Sequence, residues 1–394
     1  MAGRARIASV AAGVLLAVVA VVATAAQPRT VTVTTLLRVA FTSPSRGVGL
    51  FVRSTIPENG VGNGRCAFFT RATADGGARF GVAGVTIGTI GCASGYLVAG
   101  FAADGAGDVF AYGPGLFVSH DGGASWRSQK LPGALLALTA AGRSVWALSD
   151  SCSAPTSRAP TCRLTLIVSA DGGRSWAQAP RQPLDRSFSS EFSGPSTWLW
   201  REDAERAVVI VPHASYPPSA NTVMLEQTFD GGAHWSSTSA PCPAGPLSVE
   251  FSIAPDGARW LACAGEPGAG EQEKSFARSL DGGRTWLAGA SPCLIGTIPT
   301  CHHGMPLRGY LGGLAALSPT TAFYVGGRSS LTYTRDGGRS WHVEPGFSGD
   351  ASGTSEVTFV NASDGWALDE GFGGHPVLWR TRDGGTHWTR LKTA

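Results

Sequence analysis

Seven aspartates recur along the chain at a nearly regular spacing, and carboxylates are among the side chains best suited to acid–base catalysis. Neighbouring members of the set are 46 to 59 residues apart: Asp75, Asp121, Asp171, Asp230, Asp281, Asp336 and Asp383. Two such carboxylates within about 5–10 Å of one another could hydrolyse a glycosidic bond. Every one of them, however, lies in the same motif, Ser/Thr-x-Asp-Gly-Gly-x-x-Trp, with Phe80 replacing the tryptophan in the first copy. Repeated copies of one turn hold their aspartates apart, so the motif predicts a structural role.

The motif has the chemistry of a hairpin turn, here called the Asp box. Aspartate tolerates turn conformations, and its carboxylate accepts hydrogen bonds from nearby backbone N–H groups. The two glycines supply the positive φ angles that a turn needs. Apolar residues precede the boxes, as in 116–118 and 166–168, and predict a strand that enters the turn. The tryptophans of the boxes are expected to pack inside the fold: Trp126, Trp176, Trp235, Trp286, Trp341 and Trp388.

A second motif, an apolar strand followed by a polar turn and another apolar strand, precedes each box. Its copies span residues 41–52, 87–100, 137–148, 192–200, 251–264, 315–327 and 358–368. With the strands on either side of the box, each repeat supplies four strands, and a period of about 40–60 residues is typical of β-propellers. The sequence therefore predicts an all-β fold, a seven-bladed β-propeller of four-stranded antiparallel blades with an Asp-box turn in each. Residues 30–37 are a candidate for a ring-closing strand beside residues 388–392.

The boxes resemble the bacterial-neuraminidase (Asp-box, BNR) repeat. The strand Gly365-Trp366-Ala367, paired with a box, is similar to the photosystem II assembly/stability-factor propellers and their non-photosynthetic relatives. The resemblance covers residues 37–394 and implies the propeller fold. It implies no single function, because Asp boxes occur in sialidases, xyloglucanases, sortilin-type receptors and assembly factors, and a fold does not establish an activity.

The residues that a sialidase requires are poorly matched. The Phe/Tyr-Arg-Ile-Pro motif of that family has only a loose counterpart in residues 51–57, and no tyrosine has an evident glutamate partner. Other glycosidases need two converging carboxylates, and the candidates outside the boxes are Asp104, Asp108, Asp185, Glu191, Asp203, Glu205, Glu250, Asp364 and Glu370. We therefore assign no catalytic residue and expect a binding or scaffold propeller, with a secreted glycoside hydrolase as the alternative.

Two longer insertions interrupt the period, and loops on a rigid scaffold often carry binding sites. The first, residues 201–222, follows Trp198 and Trp200 and contains His213 and Tyr216. The second, residues 287–308, carries His302 and His303 between two cysteines. A binding role and simple surface decoration both remain open for these loops. Adjacent histidines point to opposite sides of a strand, so no metal site is predicted.

The first 26 residues have the features of an export signal. Arg4 and Arg6 precede an uncharged apolar run that ends in small residues near Ala26, as at a signal-peptidase site. An uncleaved membrane anchor is the alternative, because 20 apolar residues can span a bilayer. We expect a signal peptide at residues 1–26, one propeller at 27–394, and a secreted or cell-envelope protein.

Eight cysteines follow the export signal: Cys66, Cys92, Cys152, Cys162, Cys242, Cys263, Cys293 and Cys301. An even number in an exported chain favours disulfides over metal or redox chemistry. Pairing each cysteine with its sequence neighbour gives Cys66–Cys92, Cys152–Cys162, Cys242–Cys263 and Cys293–Cys301. The sequence contains no CxxC pair, so neither a zinc site of that type nor any cofactor is predicted.

Composition and charge restrict the partner. Gly contributes 54 residues and Pro 24, as expected for many short strands and turns, and the net charge is only +3 with no basic block. Nucleic acid is therefore excluded as the main partner. Arginines that recur in the boxes predict a sparse, solvated basic rim: Arg174, Arg284, Arg335, Arg339 and Arg382. The expected partner of this monomer is a protein or an envelope glycan, with membrane association only through the N-terminal segment.

Overall fold

The computed structural model describes most of the chain outside its two ends. It covers residues 29–392 except 59–63, 83, 95–96, 105, 132, 153–160, 184–186, 190–197, 214–221, 244–245, 247, 290–305, 348–353 and 370–375. These residues form 29 β-strands and one 3₁₀ turn, Cys92–Ser94. None of the described segments is a helix long and apolar enough to cross a membrane.

The strands form seven four-stranded units, the predicted blades. Blade 1 contains β1 Thr30–Phe41, β2 Gly47–Pro57, β3 Arg65–Thr73 and β4 Val85–Gly91. Blade 2 contains β5 Gly100–Ala103, β6 Val109–Tyr112, β7 Leu116–Ser119 and β8 Arg127–Gln129. Blade 3 contains β9 Ala134–Ala141, β10 Ser144–Cys152, β11 Thr161–Ser169 and β12 Ala177–Gln178, and β13 Ser187–Ser189 also pairs with β11.

The remaining four blades repeat the arrangement. Blade 4 contains β14 Trp198–Arg201, β15 Ala207–His213, β16 Thr222–Thr228 and β17 Ser236–Ser239. Blade 5 contains β18 Ser248–Ile253, β19 Arg259–Gly268, β20 Glu271–Ser279 and β21 Leu287–Ala288. Blade 6 contains β22 Gly313–Ala316, β23 Ala322–Gly326, β24 Ser329–Thr334 and β25 His342–Val343. Blade 7 contains β26 Thr354–Phe359, β27 Gly365–Asp369, β28 Val377–Thr381 and β29 Thr389–Arg390, and one bridge from Gly326 to Thr354 joins it to blade 6.

Within each blade the strands pair antiparallel in chain order. The first strand of each blade contacts the first strand of the next blade along the chain, from β1 to β26. These strands line the inside of the ring, which we call the central channel. The Asp box joins the third strand to the fourth, so it lies at the same end of the blade as the turn between the first and second strands. Hydrogen bonds connect the two turns, as from the Gly76 N–H to the Ser45 carbonyl at 2.8 Å. This end of the propeller is the box face, and the other end is the opposite face.

The hydrophobic core lies between the blades. Seven clusters of buried side chains each join two neighbouring blades, and in each cluster the aromatic residue of a box packs against the preceding blade. The Trp235 ring, for example, lies 6.3 Å from the ring of Trp146 in blade 3, and the Trp341 ring lies 6.4 Å from that of Trp260 in blade 5. The box thus positions its aromatic residue to attach one blade to the next.

The ring closes without a shared strand, and the predicted closing strand at residues 30–37 is wrong. These residues are part of β1, which pairs only with β2 in the described sheet, while β29 pairs only with β28. Side chains join blades 7 and 1 instead. The Trp366 ring stacks on Phe41 at 3.6 Å, and its Nε1 donates to the Gly76 carbonyl at 2.8 Å. Phe80, the one box aromatic that is not tryptophan, packs at this junction.

Two of the expected hairpins are displaced. In blade 2 the inner hairpin is β5–β6, because residues 87–91 belong to the outer strand of blade 1. In blade 4 it is β14–β15, because the β-branched run in residues 207–213 forms the second strand. Periodicity alone could not distinguish an outer strand from the next inner one, since both are short and half-apolar.

Two of the expected disulfides are present, Cys66–Cys92 and Cys242–Cys263. In the register of β10 and β11, the backbone of Cys152 lies opposite that of Cys162. Cys293 and Cys301 lie outside the described residues. Because disulfides persist in oxidising compartments, the two bridges indicate that the protein folds outside a reducing cytosol.

Candidate functional site

The Asp boxes share one hydrogen-bond network, which the third blade illustrates. The Ser169 hydroxyl donates to Asp171 Oδ1 at 2.7 Å and accepts from the Gly173 N–H at 2.8 Å. The same carboxylate accepts from the Ser175 N–H at 2.9 Å and from its hydroxyl at 2.6 Å. Gly173 has a φ of +83°, and a Cβ there would lie 3.1 Å from Phe110 of blade 2. The carboxylate is therefore committed to its own turn.

The boxes place each aspartate on a different blade at the box face, so the set does not converge on one substrate. His234 and His387 extend the network by contacting Asp230 and Asp383 at 2.6 and 2.7 Å. The five rim arginines are exposed. Nothing in this geometry supplies a pair of catalytic carboxylates.

Acid should weaken the boxes, because their carboxylates are stabilised in the ionised form. Partial burial opposes ionisation of Asp336, but donors from Ser340 and Thr334 hold its pKa at about 2, below the ordinary 3.8. A carboxylate whose folded pKa is depressed stabilises the protein above its unfolded pKa, and this contribution is lost as pH falls through the folded value. We expect stability to decrease between about pH 4 and pH 2, as measured by urea unfolding across that range.

Asp336→Asn tests that expectation. Loss of a comparable capping carboxylate costs about 1 kcal/mol, so the variant should be less stable than the wild type at neutral pH and should approach it near pH 2. Glu58→Gln, at an exposed carboxylate outside the boxes, is the control and should leave the profile unchanged. Parallel profiles for the wild type and Asp336→Asn would contradict the assignment.

The predicted binding loops are largely not loops where the structure describes them. Trp198 and Trp200 lie in β14, and His213 ends β15. Within the described part of residues 201–222, residues 207–213 are therefore a blade 4 strand, and the assignment of this part to an inserted loop is wrong. The Trp200 ring lies 5.3 Å from Phe251 of blade 5 in an edge-to-face contact, a packing position between blades. Tyr216, His302 and His303 lie outside the described residues.

The central channel brings together carboxylates that are far apart in the sequence. A cavity of about 400 Å³ at the box face is lined by the first strands of blades 7, 1 and 2 and includes both Asp104 and Glu356. Asp104 is buried; its Oδ1 accepts from the N–H groups of Ala106 and Asp108 at 2.9 and 2.7 Å, whereas its Oδ2 has no partner. Burial, with the nearby Asp108, raises the pKa of Asp104.

Glu356 is the channel residue that the sequence did not reveal. The surrounding protein raises its pKa to about 7, although the Arg38 guanidinium and the Val39 N–H, 3.4 Å away, act in the opposite direction. Glu250 on β18 is a second acidic residue on an inner strand, and burial raises its pKa well above the ordinary value. The signal available in the sequence was an acidic residue inside or directly before a predicted inner strand. Glu250 has this signal. Glu356 was missed because the last hairpin was placed at residues 358–368, which left Glu356 outside the predicted strand.

The opposite-face end of the channel has a different character. A cavity of about 460 Å³ is lined there by blades 7, 1 and 2. The described residues of its lining are mostly apolar, and Arg38 is the one ionisable residue among them: Thr35, Leu36, Leu37, Arg38, Leu50, Val98, Ala99, Ser355, Leu368 and Pro376. The channel thus has an acidic box-face end and an apolar opposite end, which we call the apolar mouth. Among the described residues, no group of three or more His, Cys, Asp or Glu side chains could hold a metal ion.

Comparison with solved structures identifies the architecture. YCF48 from Cyanidioschyzon merolae aligns with a TM-score of 0.52 and 15% identity over 91% of this chain and 99% of that chain. Acylaminoacyl peptidase from Pyrococcus horikoshii aligns with a TM-score of 0.51 and 8% identity, over 91% of this chain and 52% of that one. YCF48 bound to D1 peptide aligns with a TM-score of 0.45 and 13% identity, over 92% and 84% of the two chains.

The chain is a β-propeller. Its resemblance to the assembly-factor propellers is confirmed at the level of the fold. At so low a sequence identity, the similarity shows a shared fold and nothing about a shared function. No protein-family model and no curated protein matches the sequence.

Proposed function

We propose that this protein is an exported, non-catalytic propeller that binds a segment of another protein at the apolar mouth of its channel. The apolar mouth carries the proposal. Leucines, a valine and a proline line a cavity of about 460 Å³ with one guanidinium among them, which is the usual character of a binding pocket. Among the described residues of its lining there is no tryptophan or tyrosine on which a sugar ring could stack, and this favours a polypeptide over a glycan.

Export is part of the same proposal. Residues 1–26 have the pattern of a signal peptide, and the propeller occupies residues 27–394. The two disulfides support folding in an oxidising compartment. A secreted or envelope location would bring the apolar mouth into contact with extracytoplasmic proteins.

Photocrosslinking at the apolar mouth tests the function. A photoreactive residue replaces Ala99, an exposed member of the lining, in the full chain expressed in its native envelope. We expect one discrete protein adduct, and its yield should fall about tenfold when Leu37→Asp places a charge in the mouth. A probe at Ala170, exposed on the box face, is the matched control. Equal adducts from both positions, or an adduct made only of polysaccharide, would refute the proposal.

A glycoside hydrolase is the second candidate, because Asp104 and Glu356 share the box-face cavity and both have raised pKa values. One protonated carboxyl beside another carboxylate is the arrangement that glycosidases use. The purified protein would be incubated with a panel of glycosides and envelope polysaccharides. Sugar release that Glu356→Gln abolishes without unfolding would establish the enzyme and exclude a purely binding role.

A further inference from the structure

A short β-ribbon adjoins the apolar mouth and carries an exposed apolar face. It consists of residues 30–35 of β1 and 53–57 of β2, and it is called the mouth ribbon. Val31, Val33 and Ile56 are 46%, 43% and 40% exposed. Val31 lies opposite Ile56 in the strand register, and Val33 is two residues further along. Because alternate residues of a strand share a face, the three side chains form one apolar patch.

The inner backbone edge of the mouth ribbon has no partner strand among the described residues. In the described sheet, residues 30–36 of β1 pair with β2 alone, and β1 is the inner edge of blade 1. Natural edge strands usually carry charges, prolines or bulges that prevent another strand from pairing. The segment Thr-Val-Thr-Val-Thr-Thr-Leu has no charge, proline or glycine, and its register stays regular until the shift between Leu36 and Arg38. This edge can therefore accept a further strand.

The edge and the apolar mouth are continuous, because Thr35, Leu36, Leu37 and Arg38 belong to β1 and also line the cavity. A strand that pairs with residues 30–35 would therefore lie beside the cavity, with its side chains directed alternately to the two faces of the ribbon. On one face they would meet Val31 and Val33. This geometry is that of β-strand addition, in which main-chain hydrogen bonds give affinity and alternate side chains give specificity.

We infer that β1 receives an extended, acidic segment of a partner protein, whose alternate apolar side chains pack on Val31 and Val33. The inference rests on the proposed function and specifies how the partner binds. Charge favours an acidic segment, since three exposed arginines on or beside the ribbon, Arg29, Arg53 and Arg65, outnumber the exposed carboxylate of Glu58 beside them. The same excess of positive charge opposes pairing between two copies of this chain.

The test uses short random peptides displayed in a library and selected on the full-length protein after oxidative export. Enriched peptides are synthesised, and their affinities are measured by fluorescence anisotropy for the wild type, Val33→Lys and Val343→Lys. Val343 is the matched control, a 50% exposed valine in the edge strand β25 of blade 6. We expect acidic peptides with alternating apolar residues, a loss of affinity of about tenfold or more in Val33→Lys, and no loss in Val343→Lys.

A second readout reports the backbone pairing itself. N-methylation of alternate peptide amides should abolish binding, whereas methylation of the intervening amides should not, because only alternate amides face the neighbouring strand. Bound peptide should also slow hydrogen exchange in residues 30–36.

The outcomes separate the binding mode from the function. Equal affinity for Val33→Lys and the wild type, or indifference to N-methylation, would overturn strand addition and leave the binding function intact. If no peptide is selected but a protein adduct still forms at Ala99, strand addition is overturned and the binding function stands. If no peptide is selected and no adduct forms, the proposed function is overturned as well. A dimer of the wild type that Val33→Lys dissociates would replace the inferred partner with a second copy of the chain.

Discussion

Trp366→Ala should destabilise the propeller by about 3–5 kcal/mol, the usual cost of deleting a buried tryptophan. The Trp366 side chain is fully buried, stacks on Phe41 at 3.6 Å, and donates to the Gly76 carbonyl at 2.8 Å. Arg380 lies over the same ring at 5.3 Å and donates to the Pro44 carbonyl at 2.7 Å. The variant therefore removes the centre of the junction between blades 7 and 1. At this junction the chain does not run from one blade into the next, because blade 7 is the last blade and blade 1 is the first. Urea unfolding measures the loss.

The matched control is Trp260→Ala at the junction of blades 5 and 6. Trp260 is also fully buried in a second strand, and its Nε1 donates to the Ser318 carbonyl at 3.0 Å. Here the chain itself connects the two blades. Both variants should lose stability, but only Trp366→Ala should accelerate hydrogen exchange in β1 and β26 together. Loss of Trp366 lets blades 7 and 1 separate, whereas the chain still joins blades 5 and 6 when Trp260 is lost. Unchanged exchange in these strands would show that closure does not depend on Trp366.

Lys274→Ala should cost about 3 kcal/mol or more, because it removes a buried donor from three backbone carbonyls at once. The Nζ of Lys274 donates to the carbonyls of Gln272, Pro306 and Leu307 at 3.0, 2.9 and 3.1 Å. The last two belong to the chain that enters blade 6, so the lysine fastens this connection to blade 5. We expect a lower unfolding free energy and faster hydrogen exchange at residues 307–311.

Lys274→Met distinguishes the lost volume from the lost hydrogen bonds, since methionine fills much of the space and donates nothing. It should retain part of the stability but none of the exchange protection. Lys130→Ala, at an exposed lysine, should change stability by less than about 0.5 kcal/mol. Full protection in the methionine variant would show that packing alone holds the connection.

Burial lowers the pKa of Lys274 to about 7, although the nearby Glu271 carboxylate acts to raise it. A lysine whose folded pKa is depressed binds fewer protons when folded, so its contribution to stability rises with pH between about 7 and its ordinary value of 10.5. The wild type should therefore gain stability relative to Lys274→Met over this range. Measuring both proteins at several pH values separates this effect from other titrating groups.

The sequence by itself determined the repeat, the box turns and the class of fold. The box is local: its aspartate bonds to residues two before and up to four after it, as Asp171 does with Ser169 and Ser175. Interactions within such a short span leave a recognisable motif. Seven copies, each with its strands, predict seven four-stranded blades, and the structure contains them. The pairings Cys66–Cys92 and Cys242–Cys263 could also be predicted from the sequence, because each joins two consecutive cysteines of the chain.

Tertiary structure alone decided the candidate site and the closure of the ring. Asp104 and Glu356 line one cavity because blades 2 and 7 both adjoin blade 1, and no local motif records this proximity. The box aromatics pack against the preceding blade, which a single repeat cannot reveal. β1 does not close the ring by pairing with blade 7. Instead, the side chains of Trp366 and Phe41 stack and join blade 7 to blade 1. Contacts between distant segments depend on how the blades are arranged, and periodicity within one blade carries no information about them.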